Sequence, residues 1–243
     1  DYEKGNWAAQ FVNSQNQGLA VITAIPYSID DNHPNFLQRL TYNYYMIKPT
    51  GAIISAFEAE ETSKGAGDLY RGSGISYAYS GEYPLITKYL LDNERPASAD
   101  VILYRDADIH LLLAEALNRN GQSDAALLLL NKGIGSVAAS KRPEGFTKWS
   151  KNKGIRSRVD LVERTVPDGV DKVTYVEDLV IQERFEELAF EGKRYCDLMR
   201  VAKRRNNPAY LADKVSAKFS GGDASSIKSK LMTPENWYLP LER

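Results

Sequence analysis

One continuous stretch decides the fold of this chain: residues 105–134, RDADIHLLLAEALNRNGQSDAALLLLNKGI. Its first half has apolar residues three and four positions apart, as in an amphipathic helix: Ile109, Leu112, Leu113, Ala116 and Leu117. Gly121 predicts the end of that helix, and Ser123 and Asp124 offer caps for a second one. The second helix carries Ala126, Leu127, Leu130 and Ile134. The stretch therefore predicts a helical hairpin.

The hairpin matches one tetratricopeptide-like repeat when Gly121 is aligned with the turn glycine of that 34-residue pattern. Small and large residues then fall at the positions where the two helices cross: Ala114, Leu117, Ala126, Leu130 and Gly133. No second good repeat is found. Such repeats normally need about three copies to bury their faces, so we expect the chain to be a fragment of a longer protein.

The remaining sequence after Asp100 is also read as mainly helical. A long helical stretch runs from about Val176 to Lys203, with a break at Gly192, and a short helix at most follows Pro208. Residues 135–172 and Ser220–Ser226 read as loops. The predicted fold class is mainly α: a tetratricopeptide-like hairpin and a long broken helix, with a loop-rich region containing short strands.

The loop-rich region comprises residues 1–99 and is rich in tyrosine. Eleven of the 15 tyrosines lie between Tyr2 and Tyr104. Residues 18–25 and 40–47 have the composition of short β-strands. Gly51 to Glu61 reads as a helix with three apolar residues on one face: Ile53, Ile54 and Phe57. The composition thus divides the chain into residues 1–99, a ligand-binding region, and residues 100–243, a helical region.

Composition excludes several classes of protein. With 31 basic and 32 acidic residues the net charge is -1, which argues against a nucleic-acid partner. No apolar run approaches the roughly 20 residues of a membrane span. Cys196 is the only cysteine, which excludes an intrachain disulfide and a cysteine-rich metal site. The chain begins with Asp1 and without a signal-peptide pattern, which again favours a fragment.

Four segments resemble the C-terminal part of the SusD/RagB family, the surface glycan- and nutrient-binding lipoproteins of Bacteroidetes. They are residues 105–118 (RDADIHLLLAEALN), residues 183–200 (ERFEELAFEGKRYCDLMR), residues 48–58 with Lys48-Pro49-Thr50, and Trp237-Tyr238-Leu239-Pro240. Their order along the chain is that of the family. Cys196 departs from the pattern, because a bulky aromatic residue is commoner at that position.

The resemblance implies a non-catalytic protein on the outer-membrane surface. It would bind an oligosaccharide and deliver it to a SusC-like TonB-dependent transporter. Membrane attachment would come only through a lipid anchor that these residues do not include. RagB-like relatives make peptide cargo plausible as well.

Charged and histidine residues have structural interpretations. Glu183, Glu187 and Glu191 are interleaved with basic residues, which favours a salt-bridge network over catalytic acids. His110 is interpreted as a packing residue within a helix. No cofactor is expected, although the turn Asp30–Pro34, with His33, allows for a calcium ion.

The tyrosines are the main functional signal. Sugar rings have apolar faces and polar edges, so a glycan site needs flat aromatic side chains together with hydrogen-bonding groups. The candidate ligand-binding residues are Asp68, Tyr70, Arg71, Tyr77, Tyr79 and Tyr83 in a glycine-rich loop, and Tyr42 and Tyr44, which would share one face of a strand.

Two other functions remain open from the sequence. A tetratricopeptide-type scaffold would bind a peptide or protein partner in its helical groove. A glycoside hydrolase would need two carboxylates flanking a cleft, and the sequence offers little support for that arrangement.

Overall fold

The computed structural model describes residues 7–12, 20–28, 32–90, 98–142 and 154–238. The chain divides into two compact units, residues 1–191 and residues 192–243. The α-helices of the first unit are α1 (Ala9–Val12), α2 (Phe36–Gln38), α3 (Gly51–Glu58), α4 (Asp106–Arg119), α5 (Ser123–Lys132), α6 (Ile155–Arg158) and α7 (Lys172–Glu187). Its strands are β1 (Val21–Ile25), β2 (Glu61–Thr62), β3 (Gly65–Ala66), β4 (Tyr77–Ser80), β5 (Tyr83–Ile86) and β6 (Val101–Arg105).

The predicted hairpin is present as helices α4 and α5, which pack against each other and against α7. Ala114, Leu117 and Ala126 are buried in its core together with Val176 and Val180 of α7. A mainly α fold is therefore confirmed, and helix α7 covers a face of the hairpin. Two details differ from expectation. Ser123 is the first helical residue, with Gln122 at the N-cap, and Gly133 ends α5 with a φ of 89°.

A β-ribbon joins the two parts of the sequence that composition separates at residue 99. Strand β1 pairs antiparallel with β6, from Val21 opposite Arg105 to Ile25 opposite Val101. The strand in residues 18–25 was expected, but its partner lies where the sequence reads as helical from Asp100. Because strand pairing depends on residues distant in sequence, periodicity around residue 100 gave no sign of it. The boundary between the two compact units of the structure lies after Glu191.

The strand predicted at residues 40–47 is wrong, because residues 40–43 belong to a helix and residues 44–47 form no strand. Asn35 Oδ1 accepts a hydrogen bond from the Leu37 amide at 2.8 Å and starts α2, which continues as a π-helix over Arg39–Asn43. Thr41 Oγ1 donates to the Leu37 carbonyl at 2.8 Å. The β-branched and aromatic residues that favour a strand give only a weak preference, and the N-cap overrides it.

Helix α3 confirms the predicted apolar face, since Ile53, Ile54 and Phe57 are all buried. These side chains form a core with Tyr77 of strand β4 and Ala189. Strands β4 and β5 form an antiparallel hairpin. Helix α3 therefore supports the hairpin that contains three of the six predicted tyrosines, Tyr77, Tyr79 and Tyr83.

Residues 135–172 are more ordered than a loop, although residues 143–153 lie outside the described residues. Short 3₁₀-helices occupy Ile134–Ser136 and Ala139–Lys141, and α6 follows. Ile155, Arg156 and Arg158 of α6 are buried. The polar composition of this segment gives no sign that α6 lies in the core. Its buried arginines are neutralised by carboxylates that are distant in the sequence.

The second unit consists of helices α8 (Arg194–Arg204), α9 (Pro208–Ser216) and α10 (Gly221–Leu231), followed by a 3₁₀-helix at Pro234–Trp237. The helical break predicted at Gly192 is confirmed, and this glycine has a φ of 75°. The loop predicted at Ser220–Ser226 is wrong, because α10 begins at Gly221. Ile227 and Leu231 pack into a core with Leu198, Leu211 and Trp237, and this packing outweighs the weak helix propensity of the preceding residues.

No helix in the described part of the chain is both long enough and apolar enough to cross a bilayer.

Candidate functional site

The eight predicted ligand-binding residues separate into exposed and buried groups. Tyr42, Tyr44, Tyr79 and Tyr83 are exposed, with 45%, 58%, 54% and 66% of their surface accessible. Tyr70 is half-buried. Asp68, Arg71 and Tyr77 are buried, at 4%, 0% and 1%. Only the first group can present rings to a ligand at the surface, and we call these four residues the tyrosine patch.

The β4–β5 hairpin positions two members of the patch on opposite faces. Tyr79 lies opposite Pro84, and Ser80 lies opposite Tyr83. Because cross-strand partners share a face and neighbouring residues alternate, Tyr79 and Tyr83 point to different sides of the ribbon. A single flat platform made by both rings is therefore ruled out, and each ring offers its own contact.

Tyr77 supports Tyr79 from inside the protein. Its ring lies 6.0 Å from the Tyr79 ring in an edge-on arrangement at 81°, and it stacks on Phe57 at 6.1 Å and 21°. Burial, together with Glu58 and Tyr79, raises the pKa of Tyr77. Tyr77 thus fixes the orientation of an exposed ring and does not contact ligand itself.

Tyr42 and Tyr44 do not share a face in the way a strand would place them. Tyr42 lies in the π-helix and Tyr44 is its C-cap residue, and positions two apart on a helix point in different directions. The π-helix lies against strand β5, and Leu37 packs in a cluster with Ile86. The two segments that carry the tyrosine patch, the π-helix and the β4–β5 hairpin, are therefore neighbours in the same unit.

Tyr45 is exposed as well, although it is not among the predicted ligand-binding residues. Its φ is 52°, a left-handed conformation that is unusual for an aromatic residue, and it is 40% exposed. The amides of Met46 and Ile47 donate to the Leu40 carbonyl at 2.9 and 3.2 Å, which holds this turn. Tyr45 extends the exposed aromatic surface next to Tyr44, and no local sequence pattern indicates that conformation.

Arg71 belongs to a buried charge network and not to a ligand surface. Its Nε donates to Asp68 Oδ2 at 2.5 Å, and its Nη1 donates to Glu183 Oε1 at 2.7 Å and Glu187 Oε2 at 2.8 Å. Both Asp68 and Arg71 have their charges satisfied inside the protein. Because their side chains are inaccessible, the structure assigns them to the support of the loop that carries Tyr70.

The network confirms that the acidic residues near the end of α7 form salt bridges, although their partners come from elsewhere in the chain. Arg105 binds Glu187 Oε1 at 2.6 Å and Glu191 Oε1 at 2.8 Å. Arg156 binds Glu183 Oε2 at 2.6 Å. Most of the bridging arginines are thus supplied by β6, α6 and the loop after β3. The interleaved Arg184 instead pairs with Asp108 at 2.8 Å.

The ionisation of two adjacent glutamates differs because of their surroundings. Burial alone would raise the pKa of Glu187, but Arg105, Arg71 and Arg158 hold it well below its usual range. Burial, followed by the negative charge of Glu183, raises the pKa of Glu186 well above its usual range. Glu187 is therefore charged, and Glu186 tends to keep its proton.

Glu60, Glu183 and Glu186 place carboxylate oxygens within 4.8 Å of one another, close enough to hold a metal ion. Arginines already occupy the neighbourhood: Arg156 binds Glu60 and Glu183 at 2.6 Å, and Arg164 also pairs with Glu60. These guanidinium groups supply the positive charge that a cation would bring. We therefore assign the three carboxylates to the core network.

Two further predictions concern His110 and the turn Asp30–Pro34. His110 is buried in α4, and its Nδ1 lies 2.8 Å from the Asp106 carbonyl, as expected of a packing residue. Asp30 and Asp31, which carry most of the predicted calcium turn, lie outside the described residues. His33 forms a β-bridge with Ser28.

Comparison with known proteins identifies the family. The SusD family model matches residues 30–242. A SusD-like protein P38 from Formosa agariphila is 34% identical over 125 residues, which cover 49% of this chain and 20% of that protein. The chain therefore spans only a small part of this curated relative.

Two solved structures share the fold. A SusD superfamily protein from Bacteroides vulgatus superposes with a TM-score of 0.60 at 17% identity, covering 92% of this chain and 47% of that one. Another from Bacteroides thetaiotaomicron gives a TM-score of 0.55 at 20% identity, covering 93% and 46%. The chain thus spans about half the length of these proteins. Together with the match over residues 30–242, these similarities show that the chain belongs to the SusD family, whose members are generally glycan-binding surface proteins.

Proposed function

We propose that this chain binds an oligosaccharide through the tyrosine patch, without changing any covalent bond. The observation that carries the proposal is the exposure of Tyr42, Tyr44, Tyr79 and Tyr83 on neighbouring elements of one unit. Aromatic rings bind the apolar faces of sugars, and phenolic hydroxyls bond to their polar edges. The buried Tyr77 and Phe57 support the Tyr79 ring, so less freedom is lost when it binds a sugar.

The site of action is proposed to be the outer-membrane surface. SusD family members are generally associated with the outer membrane and work with SusC-like transporters. We propose that this protein likewise passes its ligand to a SusC-like TonB-dependent partner, and that a lipid anchor attaches it to the membrane. The tyrosine-rich residues 1–99 would then contain the ligand-binding region.

A peptide-binding scaffold is the second candidate, and the packing of the hairpin gives it less support. Helices α4 and α5 bury Ala114, Leu117 and Ala126 against Val176 and Val180 of α7. That apolar surface is already occupied by the chain itself. Peptide cargo would have to bind elsewhere, with the tyrosine patch as the available aromatic surface.

The proposal is tested with the double substitution Tyr79→Ala and Tyr83→Ala in the full chain. A library of neutral oligosaccharides and of peptides is screened by thermal melting, because a ligand that binds only the native state raises the midpoint. For the ligand class that binds, calorimetry should show affinity about tenfold weaker in the double variant, since loss of ring contacts removes about 1–2 kcal/mol.

Tyr104→Ala is the matched control, because Tyr104 is 49% exposed on strand β6. It should leave affinity within about twofold of the wild type, and both variants should melt within a few degrees of it. Equal glycan affinity in the wild type and the double variant would refute the proposal that the tyrosine patch binds the ligand. A response to peptides alone would favour the second candidate.

A further inference from the structure

Gly72 lies in the turn between strands β3 and β4, at a point where a side chain would collide with its surroundings. A Cβ at this position would lie 2.6 Å from the carbonyl oxygen of Asp68, and 3.3 and 3.5 Å from Cβ and Cγ of Phe57. The first distance is shorter than van der Waals contact allows, and a backbone oxygen cannot rotate away as a flexible side chain can. The φ of Gly72 lies outside the left-handed region. Lack of space, and not backbone conformation, therefore requires glycine here.

Hydrogen bonds hold this turn against the end of helix α3. The Asp68 amide donates to the Phe57 carbonyl at 2.8 Å, and the Gly72 amide donates to the Asp68 carbonyl at 3.0 Å. The backbone of Gly72 is thus fixed against Phe57 by two successive hydrogen bonds. Because an added methyl group would collide with the Asp68 carbonyl itself, the turn would have to move away from helix α3 to accept it.

The carbonyl group of Gly72 organises the backbone that leads into strand β4. It accepts hydrogen bonds from the amides of Ile75 and Ser76 at 3.1 and 3.0 Å. Tyr77 follows directly and is the first residue of the strand. Gly72 therefore contacts Phe57 through its Cα side and also holds the backbone from which Tyr77 extends. A shift of the turn would move both aromatic residues relative to each other.

Aromatic contacts continue from Gly72 to the surface. The Phe57 ring stacks on the Tyr77 ring at 6.1 Å, and the Tyr77 ring meets the Tyr79 ring edge-on at 6.0 Å. Phe57 and Tyr77 are each 1% exposed, whereas Tyr79 is 54% exposed. Close packing leaves the two buried rings little freedom. The position of the Gly72 turn therefore reaches the exposed ring through two ring contacts.

We propose that Gly72 is a positioning residue for Tyr79. Because Gly72 has no side chain, the turn and Phe57 pack together, and this packing holds Tyr77 and, through it, the exposed ring of Tyr79. A ring that is held before binding loses less conformational freedom when a sugar stacks on it. The inference rests on the proposed function, since the orientation of Tyr79 matters for binding only if the tyrosine patch binds the sugar.

The test compares Gly72→Ala with Gly51→Ala in the full chain. Gly51 is the first residue of α3, and a Cβ there would have no heavy atom within 4 Å, so the control adds the same methyl group without a collision. The tyrosine rings are isotopically labelled, and the nuclear Overhauser contact between the rings of Tyr77 and Tyr79 is measured without any ligand. Phe57→Leu is a second variant, which removes the stacked ring and leaves the glycine in place.

We expect the ring contact in the wild type and in Gly51→Ala, and its loss in Gly72→Ala and Phe57→Leu. The ring signals of Tyr104, which lies on strand β6, should be the same in all four proteins. A lower melting midpoint of Gly72→Ala with an unchanged ring contact and unchanged Tyr79 signals would reduce the role of the glycine to loop stability and overturn the inference. If Gly72→Ala does not fold, Phe57→Leu decides, and a retained ring contact in that variant would overturn the inference as well.

Calorimetry with cellohexaose and maltohexaose separates this inference from the proposed function. A sugar that binds the wild type should bind Gly72→Ala about threefold to tenfold more weakly, because one further side chain is then ordered on binding. Weaker binding by the Tyr79/Tyr83 double variant, but not by Gly72→Ala, would overturn the inference alone, and unchanged binding by both would contradict the tyrosine patch. If the wild type binds neither sugar, the proposed function fails for neutral glucans, and the ring contact still decides the role of Gly72.

Discussion

The guanidinium group of Arg71 donates from Nη1 to Glu187 Oε2 at 2.8 Å, although the two residues are 116 positions apart and both are fully buried. This pair ties the loop that follows strand β3 to the end of helix α7. The same arginine also binds Asp68 and Glu183. The loop that precedes the β4–β5 hairpin is thus held by ion pairs inside the protein.

Replacing Arg71 with glutamine should destabilise the protein by roughly 3–5 kcal/mol, because several carboxylates would remain buried without their partner. Urea unfolding at neutral pH measures the loss. The control is Lys132→Gln, which removes an exposed pair with Glu163 at 3.3 Å and should cost less than about 1 kcal/mol. If the two variants are equally stable, the network does not hold the core.

Glu187 should make the protein sensitive to acid. Its pKa is lowered in the folded state, so its contribution to stability is complete above the unfolded-state value of about 4.5 and is lost as the pH falls. Glu187→Gln should therefore be less stable than the wild type by about 3 kcal/mol at pH 7. The difference in unfolding free energy should shrink toward pH 3, and a constant difference would contradict the assignment.

Glu186 should behave in the opposite way, although it is the neighbouring residue. Its pKa is raised in the folded state, so the folded protein binds more protons than the unfolded chain above about pH 4.5, and this contribution falls as the pH rises. Glutamine imitates the protonated carboxyl, and its oxygen can still accept from Gln182 Nε2, which lies 2.7 Å from Glu186 Oε1.

Glu186→Gln should accordingly match the wild type near pH 5 and gain about 1–3 kcal/mol relative to it by pH 8. Unfolding by urea at both pH values, in parallel with Glu187→Gln, provides the comparison. A relative loss of stability at pH 8 would mean that Glu186 is charged and paired with Arg71, whose Nη2 lies 3.6 Å from Glu186 Oε2.

Lys88 is a buried cation whose titration falls in an accessible range. It donates to the Ala189 carbonyl at 2.8 Å and to Glu191 Oε1 at 2.6 Å. Burial lowers its pKa to about 8, against the opposing effect of Glu191. Between this value and the unfolded-state value of 10.5, the unfolded chain binds more protons, so the contribution of Lys88 to stability rises with pH.

Lys88→Met should remove that dependence. The stability of the wild type relative to the variant is expected to rise by up to about 3 kcal/mol between pH 8 and pH 10. Tyr89, whose pKa is raised by burial, is present in both proteins and cancels in the comparison. A relative stability that stays level or falls over this range would show that Lys88 is not deprotonated in the folded protein.

The elements that depend on local periodicity were predicted correctly from the order of the amino acids alone. Ala114 and Leu117 of α4 and the apolar face of α3 are buried as their spacing predicts. The charged run after Gln182 was also identified as structural, because acids interleaved with bases are more easily kept ionised than protonated. These conclusions needed only neighbours within a few turns.

Surface exposure and charge pairing, by contrast, depend on contacts between residues that are distant in the sequence. Arg71 and Tyr77 have the composition of a ligand site, yet long-range contacts with Glu187 and Phe57 bury them. Residues 40–43, which were expected in a strand, are helical because the Asn35 cap starts the helix that precedes them. The physical reason is that burial, strand pairing and ion pairing join residues tens to a hundred positions apart, where local propensity carries no information.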